Sequence, residues 1–362
     1  MKKSSILLGW LALLTTLFFT AACSNMTPSS DAIEAQANAN ATPLVWPKPP
    51  ATERVRYLRS VHGPDDWGIS HSWLRRLADA LSGNGKDVFM RPSAVVERSG
   101  VLTVADPGAQ AVWILDQPND SYQRVSQVGP LTLVSPVALA QGPGESVFVA
   151  DTVLNQVFQL DRTGKLLRTI SSQGLERPAA LAWDDTAHRL FVLDSKKHRV
   201  TVFDGNGALL RHLGGSGGDS AQFNHPTHMA LDAGTKAGNL LITDAMNFRI
   251  QSLSPEGKFL WQFGKNGNGT GDLASPKGVA SDSAGHVYVV DALFDAVQIF
   301  DRQGQLLLAF GEHGTARGQF TLPRGIFIAS DDKVYVADAY NQRVQVFLGA
   351  VASRPVTKES LK

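Results

Sequence analysis

Residues Pro323–Phe347, PRGIFIASDDKVYVADAYNQRVQVF, contain three short runs in which β-branched and aromatic residues alternate with small or polar ones. The runs are separated by Asp331-Asp332 and by the segment AYNQ, which have the composition of turns. Alternation with a period of two, interrupted by turn residues at short intervals, is typical of antiparallel strands. This stretch therefore predicts a small sheet built from three consecutive strands.

The same pattern occurs six times along the chain, and each copy opens with a proline and ends its second strand with an aspartate. Both residues recur at intervals of 42 to 50 residues. They are Pro92, Pro136, Pro178, Pro226, Pro276 and Pro323, and Asp106, Asp151, Asp194, Asp244, Asp291 and Asp338. A period of this length with four short strands per unit predicts propeller blades rather than a helical solenoid. We therefore expect an all-β fold, a six-bladed β-propeller of four-stranded antiparallel blades over residues 51–349.

The sixth copy ends at RVQVFLGA and lacks a fourth strand. Residues 54–61, RVRYLRSV, show the same alternation at the other end of the domain. We predict that this N-terminal strand completes the last blade, because pairing the two ends closes the ring and removes exposed strand edges.

One insertion, between that strand and Pro92, has helical rather than strand periodicity. Trp73, Leu74, Leu77 and Leu81 fall on one helical face, which predicts a short amphipathic helix over residues 71–82. The helix either partly covers the mouth of the propeller channel or packs on the sides of the blades.

The first 22 residues have the features of an export signal. Lys2 and Lys3 precede an apolar run from Ile6 to Phe19, and small residues lead to Cys23, the single cysteine of the chain. The run is shorter than the roughly 20 residues that span a bilayer as a helix. This segment resembles a bacterial lipoprotein signal peptide, which implies lipid attachment at Cys23. An uncleaved membrane anchor is the alternative.

Two further segments flank the predicted propeller. Residues 23–50 are small, polar and proline-rich, which predicts a flexible tether, and residues 350–362 form a C-terminal tail. The residue after the cysteine is Ser24 and not an aspartate. By the sorting rule of bacterial lipoproteins, this implies the periplasmic side of the outer membrane.

The proline-led openings, the phrase DAYNQRVQVF and the closing FG motifs resemble the NHL-repeat family across residues 92–347. The phrase VADTVLNQVFQLD resembles, more distantly, the propellers of peptidyl-α-hydroxyglycine α-amidating lyases. That second resemblance implies a zinc ion held by channel histidines. Asn155 stands where the lyase phrase carries a histidine.

The six repeated aspartates suggest either a ring of metal ligands or a structural role. A residue repeated at the same strand end in every blade usually binds the backbone amides of a turn or a neighbouring cation. Arg199, Arg249 and Arg343 each follow their aspartate by five residues and are the expected cation partners. We expect the structural role.

His228 departs from the repeat. It lies two residues after Pro226, where the other copies have alanine or glycine, so we expect it to project into the channel. His225 lies close by, before the proline. Both are candidate ligand-binding residues, although a hydrogen-bonded structural histidine is the alternative for His228.

The connections between the second and third strands meet at the same end of the channel. They carry polar residues interleaved with aromatic and aliphatic ones, as in KKHR at 196–199, MNFR at 246–249, LFD at 293–295 and YNQR at 340–343. Such a surface suits a protein or peptide partner, and an ordinary solvated face is the alternative. The candidate contacts are Lys196, Arg199, Phe248, Arg249, Tyr340, Asn341 and Arg343.

These observations favour a cell-envelope lipoprotein whose propeller is a scaffold for an envelope protein or peptide. The formal net charge of +1 gives no electrostatic reason to expect a nucleic acid. The competing function is a channel-centred lyase or hydrolase, amidating-lyase-like or lactonase-like, that uses His228. We expect no cofactor for the scaffold, whereas the enzyme alternative allows a bound zinc or calcium ion.

Overall fold

The repeats fold into six antiparallel blade sheets in the computed structural model, which describes residues 43–70, 87–170 and 174–349. A separate two-stranded sheet pairs Gln127–Val128 with Leu131–Thr132. In chain order the strands are β1 (Val45–Trp46), β2 (Val55–Val61), β3 (Ala94–Arg98), β4 (Val101–Asp106), β5 (Ala111–Asp116), β6 (Ser121–Val125), β7 (Gln127–Val128), β8 (Leu131–Thr132), β9 (Pro136–Gln141), β10 (Val147–Asp151), β11 (Gln156–Leu160), β12 (Leu166–Ile170), β13 (Pro178–Asp184), β14 (Arg189–Asp194), β15 (Arg199–Asp204), β16 (Leu209–Gly214), β17 (His228–Leu231), β18 (Leu240–Asp244), β19 (Arg249–Leu253), β20 (Phe259–Phe263), β21 (Pro276–Ser281), β22 (Val287–Asp291), β23 (Ala296–Phe300), β24 (Leu306–Phe310), β25 (Ile326–Ile328), β26 (Lys333–Asp338) and β27 (Arg343–Leu348). Short 3-10 turns lie at Asp65–Trp67, Ala245–Asn247 and Ala339–Asn341.

Five blades are built from four consecutive strands each. Blade 1 is β3–β6, blade 2 is β9–β12, blade 3 is β13–β16, blade 4 is β17–β20 and blade 5 is β21–β24. The first strand of each blade lines the central channel, and the fourth is the most exposed. The predicted six-bladed propeller of four-stranded antiparallel blades is confirmed.

Blade 6 is completed by a strand from the other end of the domain. Its sheet has the order β1-β2-β27-β26-β25, so β2 pairs with β27. The register places Val61 opposite Val344 and Tyr57 opposite Phe347, with one irregularity between Tyr57 and Arg59. The closure predicted for residues 54–61 is confirmed, with the strand observed at Val55–Val61.

A further strand extends the closed blade outward. Val45 and Trp46 form β1 and pair with β2, so the sheet begins inside the range 23–50 that the composition assigns to a tether. The ring of Trp46 lies 5.7 Å from that of Phe310 and 5.9 Å from that of Phe347. Gly318 leaves room for it, because a Cβ there would meet the indole at 2.6 Å. The aromatic contacts of Trp46 thus place this segment on blades 5 and 6.

The hydrophobic cores lie between neighbouring blades. Each of six clusters combines residues from two adjacent blades, one cluster for each interface of the ring. The cluster between blades 6 and 1 includes Val61, Phe89, Trp113 and Tyr335. The closing strand therefore fills an interface as well as completing a sheet.

The helix predicted over residues 71–82 lies outside the described residues. Just before it, Asp65–Trp67 forms a 3-10 turn, and the indole N–H of Trp67 donates to the carbonyl of Gly100 over 2.9 Å. Among the described residues, no helix has the length and apolar character needed to cross a bilayer.

The closing strand offers a matched test of its own burial. Val61 is fully buried and Leu58, three residues earlier on the same strand, is 41% exposed. Val61→Asp should lower the free energy of unfolding by about 3 kcal/mol or more, because it buries a charge without a partner. Leu58→Asp should cost less than about 1 kcal/mol. Urea unfolding of both variants measures the difference, and equal losses would contradict the register of β2.

Candidate functional site: the channel and its mouth

The first strands of the six blades enclose a central cavity of about 250 Å³ with a largely apolar lining. Two residues after its repeated proline, each of five blades contributes a small residue to the channel lining. Blade 4 contributes His228 at this position. The small residues are Ala94, Ala138, Ala180, Gly278 and Gly325. At Gly278 a Cβ would lie 2.7 Å from the carbonyl oxygen of Arg324, so the strands approach too closely for a side chain there.

His228 occupies the channel position expected from the repeat, and its polar groups are not consumed by the fold. It is partly exposed to the cavity, and its Nδ1 is buried without a hydrogen-bond partner among the described residues. Burial, followed by the positive charges of Lys277 and Arg324, lowers the pKa of His228 to about 3. The imidazole is therefore neutral near pH 7.

His225 belongs to a different environment. Its backbone N–H donates to Nδ1 of His198 over 3.1 Å, and the two rings meet edge to face with centroids 4.6 Å apart. Nδ1 of His225 lies 2.9 Å from Oδ1 of Asn224. The two candidate histidines are thus not brought together. In the part of the chain that the structure describes, no group of three or more His, Cys, Asp or Glu side chains is arranged to hold a metal ion.

The repeated aspartates are fully buried and bind the loops at the mouth of the channel. Asp151 accepts the amides of Val153 and Leu154 at 3.0 Å on one oxygen, and those of Val134 and Ser135 at 2.7 and 2.9 Å on the other. One carboxylate thus ties the turn that follows the second strand to the start of the first. Asp106, Asp194 and Asp291 likewise accept backbone amides from the turn after the second strand and from the segment before the first strand.

In blades 4 and 6 the carboxylate also binds side chains. Asp338 accepts hydrogen bonds from Asn341, Arg343 and Gln345 at 2.9, 2.8 and 3.0 Å. Asp244 makes the same three contacts with Asn247, Arg249 and Gln251. Arg249 and Arg343 are only 8% and 5% exposed, and one terminal nitrogen of each donates to backbone carbonyls of the preceding loop. The other terminal nitrogen of Arg249 donates to Oε1 of Gln262 over 3.0 Å. These arginines and Asn341 therefore hold the loops from within.

Blade 3 differs from the expected pairing. Asp194 accepts four backbone amides, whereas Arg199 reaches the carbonyl oxygen of Gly174 at 3.5 Å. The expectation that Arg199 is the cation partner of this aspartate is wrong, because the amides already occupy the carboxylate. Lys196 remains largely exposed and forms an ion pair of 2.9 Å with Glu176.

The tips of the mouth loops carry exposed apolar side chains at equivalent positions. Two residues after the repeated aspartate, four blades present a side chain that is 54 to 67% exposed. We call these residues the mouth ring: Val153, Met246, Leu293 and Tyr340. Phe248, which the sequence also suggested, is half-buried and ends a 3-10 turn with a left-handed backbone. Comparing the loops by composition misses Val153. Aligning the six repeats on the aspartate identifies it as the residue equivalent to Met246, Leu293 and Tyr340.

The low pKa of His228 predicts a pH dependence of stability. Below the ordinary value of 6.5 the unfolded chain binds a proton at this histidine that the folded chain does not, so stability falls as the pH falls. The loss from this group should reach about 2 kcal/mol at pH 5. Urea unfolding at pH 7 and pH 5 should show a larger loss for the parent than for His228→Gln. Equal losses would mean that the imidazole is not shielded in the channel.

Comparison with known proteins agrees with this architecture. Residues 320–347 match the family profile described as NHL repeat. A streptogramin B lyase structure is similar in fold, and the match covers 72% of this chain and 93% of the lyase chain. The sequence identity is 13% and the TM-score is 0.55. A protein of unknown function from Bacteroides thetaiotaomicron is similar over 73% of this chain and 70% of its own, with 14% identity and a TM-score of 0.57.

A third solved structure, hydrazine synthase from Kuenenia stuttgartiensis, is similar over 74% of this chain and 98% of its own. It shares 14% identity, and the TM-score is 0.52. At these identities the likeness concerns the fold alone. The chain is a six-bladed β-propeller whose last blade carries an NHL repeat.

Proposed function

We propose that this protein is a cell-envelope lipoprotein whose propeller binds a protein or peptide partner through the mouth ring. The observation that carries the proposal is the repetition of an exposed apolar side chain at one loop position in four blades. Single exposed apolar residues are ordinary on protein surfaces. Their repetition around one opening is typical of an interaction surface.

The way in which the loops are held supports the same function. Each mouth-ring residue follows a fully buried aspartate that binds the amides or side chains of its loop. A loop fixed in this manner loses little conformational freedom when a partner binds, so less of the binding free energy is spent on ordering it. The exposed Lys196 occupies the equivalent position in blade 3 and adds a polar group to an otherwise apolar ring.

The channel supports a second candidate function, a lyase or hydrolase that acts on a small molecule. His228 lines the cavity, and its buried Nδ1 has no hydrogen-bond partner among the described residues. One similar structure is a virginiamycin B lyase from Staphylococcus aureus with quinupristin, in a variant that is catalytically inactive because an alanine replaces a histidine. A histidine is thus essential in a protein of this fold, and His228 is the residue of this chain to replace in an activity assay.

The partner proposal predicts the effect of changing the mouth ring. Met246→Ser together with Leu293→Ser should abolish capture of a partner from solubilised envelopes, because the apolar contact area is lost. Leu167→Ser together with Leu210→Ser is the matched control, since these side chains are 53% and 48% exposed on outer strands. The control should capture the same partner as the parent. Equal capture by both double variants would contradict the assignment of the surface.

The lipoprotein proposal predicts the location of the protein in cells. Cys23→Ala should move it from the membrane fraction to the soluble fraction, because the acyl chains that supply about 0.8 kcal/mol per buried CH₂ are lost. Ser24→Asp should keep it in membranes but shift it away from the outer membrane. Fractionation followed by immunoblotting measures both effects, and an unchanged membrane fraction for Cys23→Ala would refute lipid attachment.

A further inference from the structure

A cluster of positive charges lies where the channel opens toward the mouth loops. Lys277 and Arg324 each directly precede a glycine that lines the cavity, in blades 5 and 6. Arg91 directly precedes Pro92, at the same end of blade 1, and its side chain is exposed. Three neighbouring blades therefore contribute a cation to one side of the opening.

Backbone contacts fix these residues next to His228. The N–H of Gly278 donates to the carbonyl of Arg324 over 2.9 Å. The hydroxyl of Thr243 donates to the carbonyl of Lys277 over 2.7 Å, and Thr243 is the residue paired with His228 between β17 and β18. The backbone of Lys277 in β21 and that of Arg324 just before β25 are thus held by hydrogen bonds within the ring.

The two cations nearest the channel have no counter-charge bound to them. Within residues 43–70, 87–170 and 174–349, neither the Lys277 ammonium nor the Arg324 guanidinium makes a hydrogen bond or an ion pair, although both side chains are half-buried. The facing acidic group is Asp291, whose oxygens already accept the amides of Ala274 and Ser275. By contrast, the buried Arg249 and Arg343 have carboxylate partners.

The electrostatics of the cluster are unfavourable in the free protein. Burial, and then the charge of Arg324, lower the pKa of Lys277. Burial, and then the charge of Arg91, lower the pKa of Arg324, while the facing Tyr340 opposes the shift. Like charges held together in a partly desolvated site repel one another, and an anion between them would relieve the repulsion.

The space beyond the cations is apolar. The cavity of about 250 Å³ is lined mostly by small and aliphatic residues, and His228 lies at the end where the strands begin. The other members of the lining are the aromatic Trp183 and Phe327 and the polar Gln141 and Ser281. We propose that this end of the channel binds the carboxylate or phosphate of a small amphiphilic ligand, with Lys277, Arg324 and His228 around the anionic group and the apolar part of the ligand in the channel.

This site does not depend on the proposed partner at the mouth ring. A small acid entering the channel contacts the starts of the first strands, whereas a docked protein contacts the loop tips. Changes at Met246 and Leu293 test the ring, and changes at the cations test the anion site, so either proposal can fail alone.

The test is a calorimetric titration of the purified protein with sodium hexanoate, hexyl phosphate and 1-hexanol, which share an apolar chain and differ in the head group. At least one of the two anions should bind more tightly than the alcohol, and the tighter anion identifies the preferred head. Lys277→Gln together with Arg324→Gln should weaken binding of the anions by about tenfold or more. Binding of hexanol should stay unchanged.

Lys236→Gln together with Lys258→Gln is the matched control. It removes the same net charge from exposed lysines at the other end of the blades, in the loops after the first and third strands of blade 4. Anion affinity should stay within about twofold of the parent. Because the double variant Lys277→Gln, Arg324→Gln relieves the repulsion between these cations, its melting temperature should not fall below that of the parent. Equal binding of all three ligands, or equal loss in both double variants, would overturn the proposal.

Discussion

Pairing of β2 with β27 is the interaction on which the rest of the propeller depends. The two strands come from opposite ends of the described domain, at residues 55–61 and 343–348, so every blade lies inside the loop that they close. Bringing distant segments together costs chain entropy, but that cost grows only slowly with loop length. The pairing offsets it by satisfying the open edge of β27 and by placing Val61 in the core between blades 6 and 1. A closed ring also packs each first strand between two neighbours, which gives the channel a fixed width.

The buried aspartates transmit this rigidity to the surface. Each carboxylate is taken out of water completely, which is costly unless its oxygens are bound. In blades 2 and 5 the cost is offset by amides from two segments, and in blades 4 and 6 by an arginine as well. Both solutions fix the turn whose tip belongs to the mouth ring. Each repeated aspartate thus holds its loop by binding backbone amides, and in blades 4 and 6 by binding side chains as well.

Much of the fold is predictable from the sequence, because strand alternation, turn residues and a repeat period are local signals that six copies reinforce. The closing strand is predictable because the sixth copy lacks a fourth strand and a segment with the same alternation is left over at the N-terminal end of the domain. The fourth strand of blade 1, Ser121–Val125, is not recognisable, because SYQRV is mostly exposed and has no apolar face to give it a pattern.

The candidate site is less predictable, for a physical reason. Whether a loop arginine is a surface contact or a buried support depends on where its guanidinium finds acceptors. Arg249 and Arg343 look like surface residues in the sequence, yet carboxylates and carbonyls draw them inward. The cations at the mouth come from different blades, so their proximity follows from ring geometry, which no single repeat encodes. His228 is the exception, since it stands out by departing from alanine and glycine at one position.

The mouth of the channel combines features that a purely structural ring would avoid. Lys277 and Arg324 repel each other in a half-buried site, and His228 is held neutral with an unpartnered nitrogen beside them. The two arginines classed as buried, Arg249 and Arg343, have carboxylate partners. The fold therefore has the means to neutralise such charges and does not use them here. Unfavourable electrostatics at a cavity opening are typical of functional sites rather than of cores. The negative charge that Lys277 and Arg324 lack at the channel mouth is the charge that an anionic ligand would supply.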